Sequence, residues 1–427
     1  MEPTDDPGTP FTEIRVDDLA APILTDSERA TLDYADGLDV RLDAETLLEA
    51  ASDRTALSDF GDASFRPHLG AHIAAIEADD GLTGLGRLIQ RRRLIRILSS
   101  RALFEDLLSR HPEIHDIELD PPVIVVGLPR SGTTHLVNVL ASDRRFRSLP
   151  FWESQEPFPN RGEGPDRDGL DPRFVRCRAD YEVEMAMAPL TRAMHHRHPT
   201  AIEEEVELLD VAFGSYSLEW HARVPSWRDH YLGADQTPAY SYLAVMLRAL
   251  TFLRGPRRWV LKSPQHLEQL GPLTATFPDA TVVFTHRDPV AVIASAVTML
   301  AYGDRLRQRS VRAPELAEYW VDRIERLLRS FERDRDLIDP SRTVDIVFDD
   351  FMADESATIE RVYAAAGLAL DDASRRSVEG YLAGNPRGRN GRMVYDLAGD
   401  FGVDIDELSR RFAFYTERVG LGPSAPI

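Results

Sequence analysis

Apolar and polar positions along this chain follow two rhythms. From Ser27 to Arg110 apolar residues recur at three- and four-residue spacings, as in LDAETLLEAAS and GLGRLIQRRRLIRILSSRALFEDLLSRHP, which predicts helices throughout. After the Pro121-Pro122 break the rhythm changes. Val123 to Val126 is a short β-branched run that stops at Gly127, as a strand buried on both faces of a parallel sheet does. Ser131 to Ala141 then reads as a helix. Arg258 to Leu261 and Thr281 to Thr285 are further strand candidates, each running into a polar motif and then a helix. Arg342 to Phe348 is a fourth, followed by a helix from about Ser356 to Ala366. Strands alternating with helices predict an α/β fold: a central parallel sheet flanked by helices over residues 119–427, preceded by a helical extension over 1–118. The first ten residues, rich in Pro, Asp and Thr, read as a loose tail. In such sheets ligands bind beyond the carboxyl ends of the strands, where the polar motifs of this chain fall.

Charge narrows the choice of partner. The 427 residues include 50 basic and 71 acidic side chains, a net charge of −21. A surface this acidic repels polyanions, which excludes broad electrostatic binding to nucleic acid or anionic membrane and confines any anion site to a local cluster. Lys262 is the only lysine, a single compact point charge in a chain that otherwise uses arginine. Cys177 stands alone, so neither an intrachain disulfide nor a cysteine-based zinc framework can form. The longest uncharged stretch, Val290 to Gly303, is shorter than the roughly 18 apolar residues of a bilayer span, and the acidic start lacks the features of a secretory signal. A soluble, cytoplasmic protein is expected. The helical extension carries no phosphate-type motif and reads as a cap or dimerisation element. Its Arg91, Arg92, Arg93 and Arg96 read as a solvated helix face, as do Glu203, Glu204, Glu205 and Glu207 further on.

The sharpest chemical signal is GLPRSGTT, Gly127 to Thr134, between strand and helix. A glycine loop at a helix start offers backbone N–H groups and the positive end of a dipole to a phosphate. The spacing from Gly127 to Gly132 is that of a nucleotide-triphosphate P-loop, yet the Lys that would follow is replaced by Thr133, and the cation has moved back to Arg130. Ordinary ATP or GTP hydrolysis is thereby disfavoured. A nucleotide-dependent kinase, and a non-catalytic nucleotide-binding protein of the same fold, remain as alternatives.

This P-R-S-G-T-T loop resembles the 5′-phosphosulfate loop of sulfotransferases, which use 3′-phosphoadenosine 5′-phosphosulfate (PAPS) and release PAP. It is similar to that of tyrosylprotein and many bacterial sulfotransferases. The resemblance implies that Arg130, Ser131, Gly132, Thr133 and Thr134 hold the 5′-phosphate. FTHRDPVAVIASAV resembles the family's second motif, an Arg at a strand end and a Ser eight residues later, here Arg287 and Ser295, which would hold the 3′-phosphate. The basic loop NPRGRNGR is similar to the segment that closes over the 3′-phosphate and adenosine, implying roles for Arg387, Gly388 and Arg389. Phe348 stands where the family places a Tyr against the adenine. The same resemblance puts Lys262 near the sulfonyl group. Two candidates arise for the general base: Glu153, which lies 23 residues beyond Arg130 as in Golgi sulfotransferases, and His266, reached by a two-residue shift of the cytosolic Lys-Thr-His pattern. Pro150, Phe151 and Trp152 would desolvate Glu153 and raise its pKa, as suits a base. The implied activity is PAPS-dependent sulfonate transfer to a hydroxyl of a small-molecule or lipid-like acceptor, by in-line displacement and without a metal, with Arg130 and Lys262 neutralising the developing charge. Trp220, Trp227, Tyr231, Tyr240 and Tyr242 are candidates for the acceptor pocket.

Overall fold

The computed structural model describes residues 13–195, 197–386 and 391–421. Five strands form the central sheet: β1 (Val123–Gly127), β2 (Phe146–Arg147), β3 (Arg258–Lys262), β4 (Thr281–His286) and β5 (Thr343–Val347). Their order is β2-β3-β1-β4-β5, and every pairing is parallel. β1 is buried along its whole length, with Ile124 opposite both Leu261 and Val282, which accounts for its unbroken apolar run. Its side chains alternate between two cores. Val123 and Val125 join Leu136, Val344 and Ile359 on one face; Ile124 and Val126 join a much larger cluster on the other.

That larger cluster also takes in the N-terminal helices, through residues such as Leu47, Leu69 and Leu98. The longest of them, α1 (Gly84–Arg110), starts at Thr83, whose hydroxyl caps the Gly86 N–H. The basic run on α1 departs from expectation. Arg92 pairs with Asp180 at the surface, but Arg93 is buried against Asp210 (2.7 Å) and the Ser217 hydroxyl (2.7 Å). Arg96 donates to the Gln155 carbonyl (2.7 Å) and pairs with Glu207 (3.4 Å). The acidic run corrects in the same way: Glu203 and Glu205 are buried. The two runs, each read as a solvated face, meet at Arg96 and Glu207; the buried Arg93, Glu203 and Glu205 take their partners from other elements, and such pairing is what makes burial tolerable.

Three further helices frame the carboxyl ends of the strands. α2 (Thr133–Ala141) follows β1 through the glycine loop, and α3 (Pro289–Arg307) follows β4, with Asp288 accepting from the Val290 N–H (3.0 Å) and Pro289 at its first position. α4 (Ala313–Asp334) runs beside α3 and buries Arg323 completely. A separate two-residue parallel pair joins Glu13–Ile14 to Arg392–Met393. Arg387, Gly388 and Arg389 lie outside the described residues.

Candidate functional site

The loop after β1 is shaped by close approach. A Cβ at position 127 would sit 2.0 Å from Oγ1 of Thr285 on β4, so only glycine fits. Arg130 (φ 68°) and Gly132 (φ 87°) are both left-handed, and a Cβ on Gly132 would meet the Phe348 ring at 2.7 Å. A left-handed arginine is strained, and two partners hold it there. Nη1 of Arg287 donates to the Arg130 carbonyl (2.6 Å), and Nε of Arg130 donates to the Ser295 hydroxyl (2.9 Å). Tyr395 reaches the same hydroxyl (2.9 Å), and the Arg287 guanidinium lies 4.4 Å from the centre of the Phe348 ring. Arg130, Arg287, Ser295 and Phe348, distant in sequence, therefore meet in one corner, beside the start of α2.

Ser131 plays a different part. Its hydroxyl donates to the Leu128 carbonyl (2.6 Å) and pairs with Oγ1 of Thr285 (2.8 Å), so the side chain braces the loop from within. Thr133 is buried under the first turn of α2, and the Thr134 hydroxyl accepts from Nζ of Lys262 (3.2 Å). Lys262, at the end of β3, is fully buried and also binds Oε1 of Glu204 at 2.5 Å. One ammonium thus links the loop to a carboxylate.

Pro129, Arg130, Thr133 and Thr134 form one wall of a cavity of about 200 Å³. Glu203, Glu204 and Glu207 line it too, and Tyr216, Trp220, Met299 and Leu300 supply an apolar side. The three carboxylates differ in character. Burial pushes Glu203 up to about 7 despite Lys262 and Arg197 nearby. Burial also tends to raise Glu207, but Arg96, Arg93 and Arg197 outweigh it and hold the group down at about 2. Burial raises Glu204 above the ordinary carboxylate range, with Lys262 opposing. Glu204 keeps 20% of its side chain exposed and, unlike the other two, contacts a group bonded to the loop. A carboxylate with a raised pKa, held by a buried cation at the edge of a cavity, is equipped to accept a proton.

The two carboxyl and imidazole groups expected from sequence sit elsewhere. Glu153 is buried in the short helix Phe151–Gln155, ion-paired with Arg254, and lines a different cavity of about 300 Å³. Burial raises its pKa, as expected, but no residue of the glycine loop lines that cavity. His266 is fully buried with both ring nitrogens engaged, Nδ1 by the Tyr240 hydroxyl (2.7 Å) and Nε2 by Glu205 (2.6 Å). Glu205 accepts the Lys262 N–H (2.6 Å) with its other oxygen, so His266 steadies the end of β3 from behind. Trp227, Tyr231 and Tyr240 are core residues, whereas Trp220 lines the cavity.

The chain is similar to characterised proteins over most of its length. Residues 121–372 match the model of the sulfotransferase family. The omega-hydroxy-beta-dihydromenaquinone-9 sulfotransferases of Mycobacterium bovis and Mycobacterium tuberculosis are each 24% identical over 279 residues, 62% of this chain and 67% of theirs. The crystal structure of sulfotransferase STF1 from Mycobacterium tuberculosis superposes with a TM-score of 0.77 at 29% identity, covering 88% of this chain and 99% of that one. Sulfotransferase STF9 from Mycobacterium avium shares the fold, with a TM-score of 0.78 at 23% identity over 89% and 97% of the two chains. With more than half of its residues matched, including the glycine loop, Lys262 and the Arg287 to Ser295 segment, the chain belongs to the sulfotransferase family.

Proposed function

We propose that the protein transfers a sulfonate group from PAPS to a hydroxyl of a small-molecule or lipid-like acceptor, by in-line displacement at sulfur. The described residues suit such a donor. The first-turn N–H groups of α2 and the Thr133 and Thr134 hydroxyls would hold the 5′-phosphate, while Arg287 and Ser295 would hold the 3′-phosphate with Phe348 against the base. Arg387, Gly388 and Arg389 are assigned to the 3′-phosphate by resemblance alone. PAPS supplies a sulfonate that is already activated; the protein must position it, remove a proton from the acceptor and stabilise the departing charge.

Glu204 is the base in this reading, in place of Glu153 and His266. The observation that carries it is the bridge made by Lys262 between Thr134 and Glu204. Through it, the group that takes the acceptor's proton and the cation that stabilises the leaving phosphate are fixed relative to one another and to the loop. Arg130 adds a second cation from inside the loop. An apolar cavity side made by Tyr216, Trp220, Met299 and Leu300 favours a hydrophobic alcohol, the class to which the named substrate of the mycobacterial relatives belongs.

Transfer of radiolabelled sulfonate from PAPS to a panel of primary alcohols tests this. Glu204→Gln is expected to lower kcat by about 10²- to 10⁴-fold, the usual contribution of a positioned base, with PAP binding retained. Full activity in that variant would remove Glu204 from the role, and a natural protein that binds no PAP would remove PAPS as donor.

A further inference from the structure

The cavity beside the glycine loop adjoins another at Trp220 and Leu300, which line both. The second chamber, of about 320 Å³, has one wall made by the N-terminal helical region through Ala75, Ala78 and Asp79, and another made by Leu316 and Trp320 of α4. Aromatic rings run from one chamber to the other. Tyr216 meets Trp220 edge-on with ring centres 5.9 Å apart, and Trp220 lies 4.4 Å from Trp320. The first chamber alone is small beside the roughly 300–1,000 Å³ of pockets that enclose a ligand; the two together fall within that range.

The buried polar groups around the second chamber already have partners. Asp79 accepts from the Gln308 amide (2.8 Å) and the Arg223 N–H (3.0 Å); Asp304 pairs with Arg307 (3.3 Å); Glu219 binds Arg323 (3.0 Å) and the Tyr319 hydroxyl (2.8 Å). Among the described lining groups, Nη1 of Arg223 is the buried donor left without one. Beyond that one donor and the solvent-facing Asp80, Ser226, Arg312 and Glu315, what remains for a ligand to meet is methyl groups, leucines and indole faces, so a polar body would lose its hydration in the interior with little return.

We infer that the second chamber is the tail subsite of the acceptor. The acceptor is an elongated molecule with a hydroxyl at one end, and its apolar body passes Trp220 into a chamber walled by the N-terminal helices. Those helices then set which acceptors the enzyme takes. The inference rests on the sulfonate-transfer reading above, because that reading is what places the hydroxyl end in the first chamber.

Calorimetric titration of the full-length, PAP-loaded protein with primary n-alkanols from butanol to dodecanol tests it. Each buried methylene contributes about fourfold in affinity, so binding by the natural protein is expected to strengthen across the series. Ala78→Trp, at an exposed position on the chamber wall, and Ala222→Phe each fill the second chamber, and with either the rise is expected to stop at a shorter chain. Retained PAP binding shows that each variant is folded. Affinity that levels off at the same length in all three proteins overturns the tail subsite, as does a PAP-binding protein that takes up no alkanol. Failure to bind PAP overturns the donor assignment instead, and the same titrations without PAP then still decide the tail subsite.

Discussion

Replacing Lys262 by methionine separates what the lysine does for the loop from what it does for Glu204. Lys262 is fully buried and sits 2.5 Å from the Glu204 carboxylate, so its charge is poorly screened by solvent. Two unit charges about 4 Å apart interact by about 4 kcal/mol at the effective dielectric of a partly buried site. An opposite charge this close lowers a carboxyl pKa by about 1–3, equivalent to about 1.4–4 kcal/mol. Burial already raises Glu204, and Lys262 is the main influence opposing that rise. Removing the cation therefore raises the pKa further, so the ionised base persists only at higher pH, and the acid limb of the kcat/KM profile moves up by about 1–3 in pH. At any pH below the limb, activity falls about tenfold for every pH unit by which the limb has moved. Loss of charge stabilisation at the departing phosphate adds a pH-independent drop of about 10²- to 10³-fold. The assay is radiolabelled sulfonate transfer across pH 5 to 10 with a primary alcohol acceptor, paired with a carbon-13 NMR titration of the glutamates assigned through Glu204→Gln. A Lys262→Met enzyme that is slower by the same factor at every pH, with the Glu204 resonance titrating as before, would refute the coupling and with it the case for Glu204 as base.

Two further outcomes follow from the same geometry. Glu153→Gln is expected to leave sulfonate transfer in place while lowering stability by about 1–3 kcal/mol in urea unfolding, because it strips Arg254 of its buried partner; a loss of turnover matching that of Glu204→Gln would return the base role to Glu153. Arg323→Met is expected to cost about 3–5 kcal/mol by the same measurement, since it leaves Glu219 and Glu268 as uncompensated carboxylates in the core. An unchanged urea midpoint would show that this buried triad holds nothing together.

The sheet was legible because its strands obey local rules: β1 and β4 are β-branched runs that stop at a glycine or a polar motif, β3 is a short apolar run ending at Lys262, and β5 alternates buried and more exposed positions. β2, at only two residues, is too short to carry a periodicity and became visible only through its pairing with β3. The two motifs that meet around Arg130 and Ser295 were legible for the same reason, since each lies within a single strand-loop-helix unit. The Glu204 contact was hidden because its partner, Lys262, lies 58 residues away, and its own neighbourhood of Glu203, Glu205 and Glu207 has the look of a solvated helix. Glu153 has the chemistry expected of it, desolvated and with its pKa raised, but the fold pairs it with Arg254 at another cavity, which no local spacing could reveal. Net charge in a window of sequence says nothing of which charges the fold will bring face to face.

The short pairing of Glu13–Ile14 with Arg392–Met393 has a consequence for the order in which the enzyme becomes competent. The Ile14 carbonyl accepts the Val394 N–H (2.9 Å), one residue before the Tyr395 that bonds Ser295. Segments about 380 residues apart must therefore meet before the corner around Ser295 is complete. Contacts so distant in sequence carry the greatest loop-closure entropy and tend to form late. During synthesis the glycine loop, α2 and α3 can assemble first, but Tyr395 reaches Ser295 only after the 100 residues that follow Ser295 have been made. If the corner holds a donor as proposed, a chain that stops short of Tyr395 would carry the loop without the contact to Ser295.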